Sequence, residues 1–269
     1  MSLLSSEVAV AALHPQGVDF LRAGRRGRKP WGALQQQRLA VVGESPAGLP
    51  LWQPALEKLD EIERPAGKRG QPLRLVLSNH FVRYLLLPWE QVVSCQGRVA
   101  MLARARFGMS YGDAAAGWHV EVESPRPGQP CLAAAIDAEL FVRTREKTAA
   151  LGYSLVSLRP YLVTAMRVWQ QTTKAPKNDW FAAWEPGRLA VCGRAGVFST
   201  RLTAADALLP ALRQCLATGR LGGAGHNSVV MHAPGWQGEW PAADGVERFD
   251  AGVPGSKDCG QAMAWSGVA

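Results

Sequence analysis

One order of secondary-structure elements can be predicted twice in this chain of 269 residues, and no other feature constrains its fold as strongly. In the first copy, an apolar run at residues 8–13 ends at the sequence HPQG, and residues 18–22 then alternate between apolar and polar. A proline and a glycine between two such runs indicate a hairpin. A strand at 38–42, a helix around 54–62 and a strand at 73–77 follow. The predicted order is strand, strand, strand, helix, strand.

The second copy begins at residue 180. Apolar runs at 180–184, 189–192 and 197–202 are separated by the turn sequences EPG and RAG. Thr203 is a candidate N-cap for a helix that extends to about residue 217, and residues 228–232 form the closing strand. Two copies of one order, with no visible identity between them, predict a duplicated α/β fold.

A middle region separates the copies. Residues 90–107 are expected to form one helix that ends at Gly108. The exposed side of this helix carries three arginines, which are Arg98, Arg104 and Arg106. Trp118 and Val120 alternate with polar neighbours, which predicts an edge strand that pairs with residues 131–136.

The region then continues with alternating helix and strand signals. Asp137 is expected to cap a helix that ends at Gly152, and a strand at 154–158 leads to a helix from Pro160 to about residue 171. The polar, proline-bearing segment 172–179 is the expected hinge between the two copies.

The sequence LSNHFVRYLLLPW contains a histidine that could be catalytic or structural. It follows Ser78 and Asn79, between strands predicted at 73–77 and 81–87. Serine and asparagine side chains bond to their own backbone in turns. We therefore interpret His80 as a structural turn residue.

These elements predict a division of the chain into two halves and a tail. The first half covers 1–171 with an inserted subdomain at about 81–136, the hinge covers 172–179, the second half covers 180–250, and a loosely ordered tail covers 251–269. In the tail, Trp265 either docks back onto the fold or contacts a partner.

Composition narrows the class of protein. Hydrophobic residues make up 47% and charged residues 19%, which is typical of a folded globular chain. No apolar run reaches the roughly 18 residues that span a bilayer, and the N-terminal sequence lacks the pattern of a signal peptide, so we expect a cytoplasmic protein. The five cysteines form no C-x-x-C pair and are expected to be free thiols. The net charge of +8 favours acidic partners in a general way.

The chain resembles the actin-like proteins of bacterial envelope machines, namely the PilM component of type IV pilus assembly and the cytoplasmic region of GspL of type II secretion. The resemblance covers most of residues 7–250 and is carried by LRLVLSNHFVRYLLLPW, by the helix that begins at Trp89-Glu90, by LAAAIDAELFVRTREKTAALGYSLVSLRPYLVTAMRVW and by DWFAAWEPGRLAVCGRAGVFSTRL. It implies a duplicated ribonuclease H-like fold of the actin-like ATPase type, with a smaller inserted α/β subdomain.

Actin-like ATPases hold nucleotide phosphates and magnesium with an Asp-x-Gly type turn after the first strand of each half. The matching first turn contains His14, Gln16 and Gly17, and the second contains Glu185 and Gly187. Both turns lack the aspartate, and each carries a proline, which has no amide to donate. The resemblance therefore implies vestigial phosphate turns, no catalytic residues and no ATP or magnesium cofactor.

The implied function is that of a pseudo-ATPase scaffold or adaptor in a type IV pilus or type II secretion-like system. Its partners would be protein subunits, and it would reach the inner membrane peripherally through them. The alternative is a nucleotide-binding enzyme of the actin-like ATPase or sugar-kinase superfamily. The relatives receive a short segment of a neighbouring subunit at a groove or sheet edge, which implies a partner-binding role for five residues of the middle region. They are Arg98, Arg104, Arg106, Trp118 and Val120.

Three other groups of residues allow more than one interpretation. The basic residues of 22–29 are interpreted as a solvated loop, and the alternative is contact with an acidic partner or nucleic acid. His119, Glu121 and Glu123 share one strand face and could hold a metal, but an exposed edge strand requires polar residues there in any case. The sequence GRLGGAGHN is interpreted as a flexible link, because it precedes a strand and lacks the Lys-Ser/Thr of a phosphate loop.

Overall fold

The computed structural model describes residues 6–26, 29–42, 48–65, 70–95, 97–173, 180–203, 207–220, 228–238, 240, 245–250 and 258–268. The strands, in chain order, are β1 (Ser6–His14), β2 (Gly17–Arg26), β3 (Lys29–Ala40), β4 (Gln71–Leu77), β5 (Arg83–Leu87), β6 (Trp118–Val122), β7 (Cys131–Asp137), β8 (Tyr153–Pro160), β9 (Trp180–Glu185), β10 (Arg188–Gly193), β11 (Gly196–Arg201), β12 (Val229–His232) and β13 (Val246–Arg248). The helices are α1 (Gln53–Lys58), α2 (Trp89–Ser94), α3 (Val99–Tyr111), α4 (Ala138–Ala150), α5 (Tyr161–Thr172), α6 (Leu208–Arg220) and α7 (Cys259–Ser266). Short 3-10 helices cover Leu59–Glu61, Asn79–Phe81 and Gly112–Gly117.

Two five-stranded sheets share one topology. Their strand orders are β3-β2-β1-β4-β8 and β11-β10-β9-β12-β13. In each sheet the first three strands in sequence are antiparallel neighbours, and the fourth strand runs parallel to the first and to the fifth. The duplicated α/β fold predicted from the repeated order of elements is confirmed.

The first sheet is buried on both faces. In β1, residues 9–13 have no exposed surface, so this strand reads as a continuous apolar run rather than an alternating one. Helices α1 and α4 contact each other on this sheet, and so do α5 and α7. Gly17 closes the β1–β2 turn at φ 140°, where a Cβ would lie 2.0 Å from the carbonyl oxygen of Leu39.

A third, three-stranded sheet has the order β5-β7-β6 and carries α2 and α3 on one face. The edge strand predicted around Trp118 and its pairing with β7 are confirmed. The single helix predicted over 90–107 is wrong, because the chain breaks between α2 and α3, where Gly97 has a φ of 83°. The second of these helices passes Gly108 and ends at Gly112, whose φ is 61°.

Asp137 caps α4 as predicted, since its Oδ1 accepts a 2.9 Å hydrogen bond from the amide of Glu139. The N-cap predicted at Thr203 is wrong, because α6 begins only at Leu208. The basic loop predicted at 22–29 is also wrong in part: Arg22 and its neighbours belong to β2, and β3 begins at residue 29. Residues 27 and 28 lie outside the described residues, as do 174–179 of the expected hinge.

The loosely ordered tail predicted over 251–269 is wrong for its described part. Residues 258–268 contain α7, and Met263 and Val268 are buried against the first sheet. Helix formation here depends on burial of this face and on Asp258, whose side chain caps the first turn of α7. Trp265 is half-buried and packs against the same core.

The two sheets share one hydrophobic core. Val10 and Tyr161, from the first part of the chain, lie in the same buried cluster as Phe181 and Ala190 of the second sheet. The division into halves at 171 and 180 stays a prediction. Within the described residues, no helix is long and apolar enough to cross a membrane.

Candidate functional site

The turn that follows β4 contacts the turn that follows β9. The Oγ atom of Ser78 donates a 2.5 Å hydrogen bond to Oε2 of Glu185, and the amide of Asn79 donates a 2.7 Å bond to Oε1. Nε2 of His80 lies 2.9 Å from the carbonyl oxygen of Pro186. The predicted turn at 78–80 is therefore confirmed, and His80 connects two distant parts of the chain.

Burial changes the protonation of both ionisable groups in this contact. It raises the pKa of Glu185 to about 7, although the hydrogen bonds from Ser78 and Asn79 act in the opposite direction. It lowers the pKa of His80 to about 4, against the effect of the bond to Pro186. At neutral pH His80 is consequently uncharged, and Glu185 is divided between its acid and its carboxylate.

The first phosphate turn is bound to α7. Nε2 of His14 lies 2.8 Å from Oδ2 of Asp19, and Nδ1 lies 3.0 Å from Oε1 of Gln16. Arg38 donates through Nε to Asp19 at 2.9 Å and also pairs with Asp258. Asp258 caps α7 by accepting a bond from the amide of residue 261. The polar side chains of this turn are thus occupied by contacts inside the protein.

The N-terminal end of α7 lies between the two turns. A Cβ on Gly260 would lie 1.9 Å from Oδ2 of Asp19 and 2.9 Å from Nε2 of His14. On the other side, Sγ of Cys259 lies 3.9 Å from the carbonyl oxygen of Trp184, next to Glu185. Gly260 lies so close to Asp19 and His14 that only a residue without a side chain fits at position 260.

Sequence reasoning missed a buried polar group around these turns. Oδ1 of Asn79 accepts bonds from the hydroxyl of Tyr84 at 2.5 Å and from the amide of Leu162 at 3.1 Å. Nδ2 of Asn79, the hydroxyl of Tyr161 and Nε2 of His232 are buried without a hydrogen-bond partner among the described residues. No local pattern links these positions, because they come from four separate elements.

A groove of about 800 Å³ lies between the three-stranded sheet and the end of β8. Two edge strands border it, since β6 is the last strand of its sheet and β8 is the last strand of the first sheet. Its apolar wall includes Leu132, Ala134, Ile136, Phe141, Val163 and Met166. Three arginines and two glutamates also line it, namely Arg126, Arg159, Arg167, Glu121 and Glu123, and Arg126 pairs with Glu123. The groove therefore combines edge strands and an apolar surface with the positive charges of Arg159 and Arg167.

Known structures share this arrangement of sheets and helices. The PilM–PilN type IV pilus biogenesis complex matches with a TM-score of 0.63 and 13% identity, over 98% of this chain and 98% of that chain. A protein of Bacteroides thetaiotaomicron with an actin-like ATPase fold and unknown function matches with a TM-score of 0.56 and 10% identity, over 97% and 96%. This chain has the actin-like fold.

A third structural neighbour is the cytoplasmic domain of EpsL, an inner membrane component of the type II secretion system of Vibrio cholerae. It matches with a TM-score of 0.56 and 12% identity, over 84% of this chain and 82% of that chain. No protein-family model matches the sequence, and no curated protein matches it. The resemblance predicted from the sequence is confirmed at the level of the fold.

The partner-binding residues predicted in the actin-like chain lie on the opposite side of the small sheet from the groove. Val120 is buried under α3, and the ring of Trp118 packs against Phe107 at 5.9 Å. Arg98 and Arg104 are exposed and Arg106 is half-buried. None of these five residues lines the groove, so the structure does not bring them together with it.

The alternative metal site on β6 has other contacts in the structure. The ring of His119 stacks on Phe141 with a centroid distance of 3.8 Å, and Nε2 lies 3.1 Å from Glu121. Glu123 pairs with Arg126 at 3.5 Å. Among the described residues, no group of three or more histidine, cysteine, aspartate or glutamate side chains is arranged to hold a metal ion.

Proposed function

We propose that this chain is a non-catalytic scaffold of a pilus or secretion-type envelope assembly system, and that it holds an extended segment of a partner subunit in the groove between β6 and β8. The observation that carries this proposal is the groove itself, with a strand edge on each side. An exposed strand edge offers unpaired amides and carbonyls to another chain. Strand addition draws affinity from these backbone bonds, while side-chain pockets determine which segment binds.

The walls of the groove define the segment that it would accept. Val163 and Met166 on one side and Leu132 on the other provide apolar contacts for alternate side chains of an extended peptide. Arg159 and Arg167 have no carboxylate partner among the described residues. Burial lowers the pKa of Arg159, and the positive charge of Arg167 lowers it further. An acidic residue in the segment would neutralise this pair.

Two of the structural neighbours support the assignment to envelope assembly. One is part of a complex for type IV pilus biogenesis, and the other is the cytoplasmic domain of a type II secretion component. We further propose that the protein lies in the cytoplasm and reaches the inner membrane through its partners.

The proposed absence of catalysis rests on the two phosphate turns. Magnesium and a triphosphate need a carboxylate for the metal, amide donors for the phosphates and open space. Pro15 and Pro186 supply no amide, and α7 contacts the first turn so closely that a Cβ at position 260 would clash. The groups present do not fit magnesium-ATP, and the residues of both turns serve instead to hold the fold together.

One observation favours the alternative of a nucleotide-binding enzyme. Glu185 is a buried carboxylate at the end of β9, and unpaired polar atoms of Asn79, Tyr161 and His232 lie in the surrounding polar group. A rearrangement that moved α7 away would give these groups access to a ligand. Titration with magnesium-ATP separates the two functions.

The groove can be tested with a substitution that fills it. Ala134 is half-buried in the groove wall, and Ala105 is exposed on α3, on the far face of the same sheet. Purified envelope subunits encoded beside this chain, and synthetic peptides from their cytoplasmic segments, would be titrated against wild type, Ala134→Trp and Ala105→Trp. We expect Ala134→Trp to weaken binding by about tenfold or more and Ala105→Trp to leave it unchanged. Equal affinity of all three proteins would contradict the proposal.

A further inference from the structure

A second groove, of about 530 Å³, lies between the three-stranded sheet and the second five-stranded sheet. One side comes from β5 and the end of α3, and the other side comes from β10, β11 and α6. Its lining includes Arg83, Tyr84, Tyr111, Arg188, Ser199 and Gln214, and it contains no aspartate or glutamate. No lining residue belongs to either phosphate turn.

Arg83 and Arg188 face this groove without a counter-charge. Within the described residues, neither arginine makes an ion pair, and Arg83 bonds only to the adjacent carbonyl of Val82 at 3.3 Å. Burial lowers the pKa of Arg188, and the positive charge of Arg83 lowers it further. The carboxylate of Glu185 acts on Arg188 in the opposite direction and raises its pKa, but its oxygens already accept bonds from Ser78 and Asn79.

Two polar atoms of residues that line the groove are buried and have no hydrogen-bond partner in the described parts of the chain. They are Nε of Arg188 and Oγ of Ser199, which come from neighbouring strands. A buried charge without a partner is costly, and removal of one partner from a buried pair is strongly destabilising. A fold that keeps an unpaired arginine and an unpaired hydroxyl on one groove wall therefore has the donor set for an anion.

We propose that this groove binds a phosphate group, held by Arg83, Arg188 and Ser199. Two arginines supply a charge of +2, which matches the charge of about −1.5 to −2 that a phosphate monoester carries at neutral pH. A single carboxylate would leave one of the two positive charges unbalanced. The planar fork of a guanidinium also matches two phosphate oxygens, and a hydroxyl can donate to a third. Bound phosphate would connect the small sheet to the second five-stranded sheet.

The test uses inorganic pyrophosphate as the probe, titrated by calorimetry at constant ionic strength. The variants are Arg83→Gln, Arg188→Gln and the charge-matched control Arg64→Gln, whose side chain is exposed and outside the groove. We expect each groove variant to weaken pyrophosphate binding by about tenfold or more, and the control to weaken it by less than about twofold. An equal loss in the control, or no binding to the wild type at about 10 mM, would overturn the proposal.

Thermal unfolding distinguishes binding from a structural role of the arginine. Because Arg188 is an unpaired, half-buried charge, Arg188→Gln is expected to leave the Tm of the free protein unchanged or higher. The same variant should abolish the increase in Tm that pyrophosphate gives the wild type. A lower Tm of the free variant, with unchanged pyrophosphate affinity, would assign Arg188 to the fold and overturn the site.

A sedimentation experiment with lipid vesicles distinguishes a lipid headgroup from a free phosphate compound as the source of the phosphate group. Wild type and Arg188→Gln would be sedimented with phosphatidylcholine vesicles that contain or lack phosphatidic acid. Recovery of the wild type but not of Arg188→Gln, and only with phosphatidic acid, identifies a lipid headgroup in the groove, whereas equal recovery of both proteins reflects the general net charge of +8 and counts against a lipid in this groove. Pyrophosphate binding without recovery on vesicles identifies a free phosphate compound. Both results support the same chemistry in the groove.

Discussion

The backbone amide of Asn79 donates a 2.7 Å hydrogen bond to Oε1 of Glu185, although the two residues are 106 positions apart in the sequence. Together with the bond from Ser78, this contact ties the turn after β4 to the turn after β9. Both oxygens of the Glu185 carboxylate thus accept bonds from the protein itself. The pair makes the stability of the fold depend on pH.

Substitution Glu185→Gln should remove that dependence. Burial raises the pKa of Glu185 from 4.5 to about 7, so the folded state binds this proton more tightly than the unfolded state. The stabilising contribution of the Glu185 proton to the free energy of unfolding is therefore fully present below about pH 4.5. It is lost as the pH rises to about 7, which is a change of about 3 kcal/mol. Urea unfolding of both proteins between about pH 5 and pH 8 measures it.

The comparison must be made between the two proteins at each pH, because His80 acts with the opposite sign. Its pKa falls from 6.5 to about 4 on folding, so its contribution grows as the pH rises through that range. The difference in unfolding free energy, wild type minus Glu185→Gln, should decrease with pH. A difference that stays constant from about pH 5 to pH 8 would show that Glu185 does not titrate in this range.

Two glycine-to-alanine substitutions in helices should have opposite effects. Gly260 lies in α7 and Gly108 in α3, and a Cβ at position 108 would meet nothing within 4 Å. Helix propensity alone would stabilise both variants by roughly 1 kcal/mol. We expect Gly108→Ala to show this gain and Gly260→Ala to lose about 2 kcal/mol or more, because the new methyl group clashes with Asp19. Unfolding by urea measures both, and a stabilised Gly260→Ala would refute the close contact of α7.

Magnesium-ATP should bind no tighter than about 1 mM, which is only roughly 4 kcal/mol of binding free energy. The reason is that neither phosphate turn has the aspartate, and α7 contacts the first turn. Calorimetric titration of the wild type measures the constant. A micromolar value, or ATP hydrolysis that is abolished in Glu185→Gln, would favour the enzyme over the scaffold.

Charge-reversal variants should distinguish a partner site in the groove between β6 and β8 from a partner site on α3. Replacement of Arg159 and Arg167 by glutamate is expected to slow association with an acidic partner segment and to speed its dissociation, because both side chains line the groove. Replacement of three arginines of α3 and its N-cap by glutamate should slow association only, at low salt, through long-range charge. They are Arg98, Arg104 and Arg106.

Surface plasmon resonance at low and high salt would measure both rates for each set of variants. The thermal midpoint serves as the control for folding and should change little in either case. Faster dissociation in the triple variant alone would move the partner site to the α3 side of the small sheet. Unchanged rates in both variants would remove electrostatic steering from the proposed function.

The order of elements along the chain could be predicted in both halves because local signals end several of the strands. The proline and glycine of the HPQG turn are such a signal, and the EPG turn is another. The break between α2 and α3 also has a local signal, because Gly97 lies between two partly apolar stretches. The apolar pattern on both sides of Gly97 nevertheless predicted one continuous helix. Local sequence signals thus predict which elements form better than they predict where each element begins and ends.

The candidate site depended on contacts that no local pattern encodes. Glu185 meets Asn79 only after both sheets have formed, and α7 consists of small and apolar residues without a helical stripe. The groove between β6 and β8 exists because two sheets end side by side, which is a property of the tertiary fold. Arg98, Arg104 and Arg106 do not line this groove, and their role in partner binding stays a prediction.

The position of α7 also determines when the first sheet can be completed during synthesis. Nη1 of Arg74 donates to the carbonyl oxygens of Gly267 and Val268, the first of which is 193 residues further along the chain. Val10 and Val76 lie under the same segment, so the ribosome has made both long before the helix that covers them. A nascent chain must therefore carry an open apolar face until residues 258–268 have been made, and such surfaces recruit chaperones or aggregate. The synthesis of α7 sets the moment at which the first sheet becomes independent of that protection.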